Sequence, residues 1–114
     1  MKTPEIKSWD CTEHDPIDQW KPEDPERVGF WCNLTIGIQG QEGGDNFMVQ
    51  VATHKVVPQL QDKTNLVVIP YYESWEATLT VLQEILAQCA DFDWSGISEK
   101  LAKHFHWEYQ GYSG

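Results

Sequence analysis

Between residues 28 and 54 the chain alternates apolar and polar positions twice. Phe30, Cys32, Leu34, Ile36 and Ile38 fall on one side of an extended backbone, and Trp31, Asn33 and Thr35 on the other. Phe47, Val49 and Val51 then alternate with Met48, Gln50 and Ala52. Between the two runs lies the stretch GIQGQEGGDNF, residues 37–47. Two period-two runs joined by a polar, Gly-rich segment predict an antiparallel hairpin with strands over 28–38 and 46–54. The alternative, a loop that cradles phosphate, needs a cation and a following helix. This stretch has no Lys or Arg, carries Glu42 and Asp45, and runs into strand-like residues.

The other patterns complete a fold. Residues 4–11 read as a first strand with Ile6 and Trp9 inward and Pro4 at an edge. Residues 12–27 hold Pro16, Pro22 and Pro25, which forbid a long helix or a central strand, so they form an irregular connection pinned by Ile17 and Trp20. Residues 55–65 connect onward with a short helical turn, and 65–70, NLVVIP, read as a short buried strand. Trp75, Leu79, Leu82, Leu86 and Cys89 recur at helical spacing, which predicts a helix over 74–90 capped by Ser74. A second helix over 94–104, capped by Asp93, turns Trp94, Ile97 and Leu101 inward, and a last strand follows from Phe105 to a stop at Gly111. The order β-β-β-β-α-α-β predicts an α+β fold: a mainly antiparallel sheet of about five strands with two helices packed on one face. The 114 residues suit one domain, with 1–27 as its N-terminal strand and acidic, Pro-rich connection.

Charge narrows the partners. The formal net charge is −10, which disfavours nucleic acid and anionic membranes, since both are bound by clustered Lys and Arg. A basic protein partner fits, although an acidic surface also serves solubility alone. Three cysteines without CxxC spacing argue against a disulfide framework or a zinc site and for a reducing compartment. The first residues, MKTPEIKSWD, lack the apolar segment of a signal peptide, and no apolar run approaches membrane-spanning length, so a cytoplasmic protein is expected.

Candidate chemistry is sparse. His104 and His106 are spaced to share a strand face, but the expected helix end falls between them and no further ligand is near in sequence. Glu108 lies between Trp107 and Tyr109, on an aromatic face or on the solvated side of an edge strand. No nucleophile elbow, zinc-protease motif, P-loop or dinucleotide fingerprint occurs. Cys32 and Cys89 read as small core residues. No catalytic residue, cofactor or metal is expected.

Taken together in order and spacing, several pieces carry a resemblance. They are the Ile36-Gly37 step at a strand end, Phe47 opening the next strand, Asp93-Trp94 before the second helix, and Trp107-Glu108 near the end. Over residues 28–110 the chain resembles the bacterial immunity protein 8 family, associated with polymorphic toxin and contact-dependent inhibition systems. The resemblance implies a non-enzymatic cytoplasmic protein that neutralises the toxic C-terminal domain of a cognate toxin, often a basic nuclease, by stoichiometric binding. It does not identify the contact surface. From the residues themselves, three candidate groups stand out. The first is Asp10, Glu13, Asp15, Asp18, Glu23 and Asp24 with Trp20 as an aromatic anchor; the second is Glu42 and Asp45; the third is Tyr71, Tyr72 and Glu73. The competing readings are a small ligand-binding or enzymatic domain with an aromatic-lined pocket, and an acidic scaffold for another basic protein.

Overall fold

A computed structural model describes residues 1–109. Five strands and two helices follow in the predicted order: β1 (Pro4–Asp10), β2 (Gly29–Ile38), β3 (Asp45–Thr53), β4 (Leu66–Ile69), α1 (Trp75–Ala87), α2 (Trp94–Leu101) and β5 (His106–Trp107). β2 and β3 form the hairpin, antiparallel from Gly29 opposite Ala52 to Ile36 opposite Asp45. Its tip requires glycine for steric reasons: a Cβ on Gly37 would lie 2.1 Å from the Gly43 carbonyl oxygen. Gly43 itself has a φ of 86°, the left-handed region that side chains disfavour.

β1 pairs antiparallel with the outer edge of β2 and bulges between Ile6 and Ser8. The other edge of β3 is shared: β5 pairs with Phe47 and Met48, and β4 runs parallel beside Gln50 through Thr53. The sheet is therefore antiparallel except at β4. The predicted buried strand is an edge strand, with Val67 and Ile69 buried and Val68 39% exposed. β5 is shorter than expected because the chain turns at Glu108 and Tyr109, directly after Trp107. Gln110 and Gly111, where the last strand was predicted to end, lie outside the described residues.

Both helices pack on one face of the sheet. The Trp75 ring of α1 lies 5.6 Å from Trp9 and 6.4 Å from Phe30, and the Trp94 ring of α2 lies 6.4 Å from Phe47. Leu34, Ile36, Phe47 and Val49 of the sheet meet Leu82 and Leu86 of α1 and Ile97 and Leu101 of α2 in a single buried cluster. Each helix begins at its predicted cap: the Ala77 amide donates to Ser74 Oγ at 3.0 Å, and the Gly96 amide donates to Asp93 Oδ1 at 2.9 Å. Replacing Ser74 with alanine is expected to cost about 1 kcal/mol, read as a lower urea midpoint with an unchanged slope.

The cysteines depart from expectation. Cys11 and Cys32 are joined by a disulfide, and Cys89 is free and buried. Asp10 pairs with Asn33 across β1 and β2, so the next residue of β1's strand line arrives opposite Cys32, with the two Cα atoms 4.4 Å apart. An odd count and the absence of CxxC spacing do not report such a cross-strand encounter, because strand register alone creates it.

Candidate functional site

From Cys11 onward the prolines keep the chain irregular, and apolar side chains fasten it. Ile17, in a single 3-10 turn, is buried in the core. Trp20 stacks on His14 with ring centroids 3.7 Å apart and meets Phe30 and Tyr72 at 6.1 and 5.2 Å. The Tyr72 amide donates to the Pro25 carbonyl at 2.7 Å. These contacts set the acidic connection beside the segment that precedes α1. Glu13, Asp15, Asp18, Glu23 and Asp24 are thereby exposed at the same end of the sheet as Tyr71 and Glu73. Lys55 forms an ion pair with Glu26, and Arg27 lies 3.7 Å from Asp24. Such exposed pairs contribute little to stability but locally offset the negative charge.

Within this group the side chains differ in what they can offer. Tyr71 is 52% exposed, whereas Tyr72 is 1% exposed and its phenol pKa is raised by burial. Tyr72 is a wall of the core rather than a contact residue. Trp20 is half-buried, with His14 over its ring.

The remaining candidates lie elsewhere. Asp10 stands at the end of β1 on the face of the sheet away from the helices, beside Ser8, Asn33 and Thr35. Glu42 and Asp45 are at the hairpin tip, the far end of β2 from the acidic connection. Glu42 lines a shallow depression with Gly37, Gly43, Gly44 and Trp94. The Asp45 carboxylate is engaged internally: Oδ2 accepts from Trp94 Nε1 at 3.0 Å and from Trp107 Nε1 at 3.1 Å. Around it Phe47 stacks on Trp107 at 6.2 Å and meets Trp94 edge-on. Glu108 Oε1 accepts from the Asn46 amide at 3.0 Å. The residues that carry the family resemblance thus hold three distant parts of the chain to one another.

Sequence reasoning passed over the uncovered face of the sheet. Trp31, Met48 and His106 project there, opposite the buried alternation of β2 and β3. The signal was present in the alternation itself, as the large side chains among the polar positions.

Among the described residues, no group of three or more His, Cys, Asp or Glu could hold a metal ion. Among them, too, no helix is long and apolar enough to cross a membrane. The Cys89 thiol is buried, and burial raises its pKa, partly countered by Lys100 and Lys103.

A family model described as Immunity protein 8 matches residues 4–112. No curated protein and no solved structure matches the chain.

Proposed function

The chain belongs to the immunity protein 8 family, and we propose that it neutralises a basic nuclease domain of a polymorphic toxin or contact-dependent inhibition system by binding it one to one in the cytoplasm. The observation that carries this reading is the family match, which spans residues 4–112. The charge supplies the partner's chemistry. Of the net −10, a large share comes from residues 10–26, where seven acids stand against Lys21. A nuclease presents cations to nucleic-acid phosphates. An acidic inhibitor is drawn to those cations and competes with nucleic acid for them. We assign the acidic connection, with Tyr71 and Glu73 beside it, to the surface that the toxin first encounters, and the whole chain to a binding rather than a catalytic role.

Co-expression with the toxic domain encoded beside this chain tests the reading. The expected result is rescued growth and a recoverable one-to-one complex; two folded proteins that neither rescue nor associate would refute it. The surface assignment has its own test. Changing Glu13, Asp15, Asp18 and Glu23 together to their amides is expected to slow association about tenfold at low salt. The difference should shrink as ionic strength rises and the screening length falls to about 8 Å. Association rates equal to wild type at low salt would remove this loop from the interface.

A further inference from the structure

The helices cover one face of the sheet, and the connection between β3 and β4 covers only one end of the other. There Gln50 Nε2 donates to the Asp62 carbonyl at 2.8 Å, which explains why Gln50 is buried. The rest of that face is uncovered. Met48, 38% exposed, and half-buried Trp31 line a depression of about 350 Å³ with His106, Asp62, Thr64 and Asn65. Trp and Met are side chains that protein interfaces concentrate, and Lys is one they exclude.

Carboxylates dominate the charge around the depression, against one exposed cation of the adjoining loop, Lys63, between Asp62 and Thr64. Residues 8–10, 31–35 and 46–50, which build this part of the face, contain no Lys or Arg. Asp62 lines it, Glu108 follows His106 by two residues, and Asp10 stands beyond Asn33 on the same face, while Lys7 lies away at the hairpin tip, taken up by Glu5 at 2.6 Å and the Gln41 carbonyl at 2.7 Å. Two of these carboxylates are held in place. Asp62 Oδ1 accepts from the Thr64 amide at 2.8 Å and hydroxyl at 2.5 Å, and Glu108 accepts from the Asn46 amide and side chain at 3.0 and 3.4 Å. Carboxylates already fixed lose little conformational freedom when a partner docks.

These charges select the occupant. A second copy of the chain would bring the same carboxylates and a further −10 to the face, setting like charges together. A cationic protein meets complementary groups instead. A Lys or Arg side chain in the depression gains attraction from the Trp31 indole and a charge-assisted hydrogen bond to Asp62.

We infer that the uncovered sheet face is the anchoring half of the toxin interface, and that the depression among Trp31, Met48 and Asp62 receives a Lys or Arg side chain of the toxin domain. This rests on the immunity reading and deepens it: the acidic connection governs approach, and the sheet face governs residence.

Binding kinetics of the full chain with the toxic domain encoded beside it separate the two. Trp31→Ala and Met48→Lys are the variants, with thermal unfolding as the check on folding; Met48 is exposed, so its replacement leaves the core intact. Each is expected to raise the dissociation rate roughly 30-fold or more, as loss of a central anchor does, with association slowed far less. The four-amide variant of the acidic connection should show the reverse pattern. Wild-type dissociation rates in both variants, beside a wild-type complex that does form, would overturn the inference and leave the immunity reading standing. A dimer of the free protein that Met48→Lys breaks would overturn it as well, by making the face a contact between copies. Failure of the wild-type chain to bind the domain at all would refute the immunity reading, and this inference with it.

Discussion

Replacing Asp45 with alanine is expected to destabilise the protein by about 2–4 kcal/mol. Its carboxylate accepts hydrogen bonds from two indoles, Trp94 Nε1 and Trp107 Nε1, through a single oxygen. A hydrogen bond to a charged group is worth roughly 1.5–3 kcal/mol, and an abandoned buried donor costs about 1–3 kcal/mol. The site is half-buried, so water recovers part of this and the sum stays below the simple total. Asparagine retains an acceptor oxygen without the charge and should lose about half as much. Urea unfolding measures both. The mechanism has a sharper signature in a double-mutant cycle: with Trp94 and Trp107 changed to Phe, Asp45→Ala should cost far less than in the wild-type background. Equal costs in the two backgrounds would mean that the indoles are not what Asp45 holds.

The second large effect belongs to the disulfide. The Cys11–Cys32 link closes a loop across a sequence separation of 21. Closing a loop of that size in the unfolded chain stabilises the native state by roughly 3 kcal/mol in the chain-entropy account. Unfolding in the presence of a reductant, or of a Cys11→Ala/Cys32→Ala protein, is expected to show that loss. Cys89 lies outside the loop, and Cys89→Ala should leave the response to reductant unchanged. A midpoint indifferent to reductant would show that the link contributes nothing to stability. Wherever thiols are kept reduced, the lower stability is the operative one. The acidic connection would then be held by Ile17, Trp20 and the Tyr72–Pro25 hydrogen bond without its covalent anchor.

The features legible in the sequence were those encoded locally. The β2–β3 hairpin follows from two alternating runs, and α1 from helical spacing behind a serine cap whose hydroxyl does accept the Ala77 amide. Features that depend on distant register were not legible. Nothing in LVVI says that it joins β3 in parallel, or that Val68 faces solvent, because both depend on which edge is vacant. The Cys11–Cys32 pairing follows from the alignment of β1 with β2, one residue beyond the Asp10–Asn33 pair. Asp45 stood out by charge as a contact candidate, and nothing local disclosed that its carboxylate accepts from two indoles 49 and 62 positions away. Tyr72 stood beside Tyr71 as an equal aromatic candidate, yet the alternation entering α1 turns one inward and the other out.

The sharing of one edge of β3 also constrains biosynthesis. β1, β2 and β3 can pair as soon as residue 53 has left the ribosome, and β4 can join shortly afterwards. The segment of β3 at Phe47 and Met48 stays without its neighbour until His106 and Trp107 are made. Over the same interval Asp45 waits for its second indole. At about 5–20 residues per second, the gap from β3 to β5 lasts several seconds. During that time the nascent chain displays an incomplete edge, the feature that templates unwanted strand addition. The edge of β3 at Phe47 and Met48 is thus the last part of the sheet to gain its neighbour.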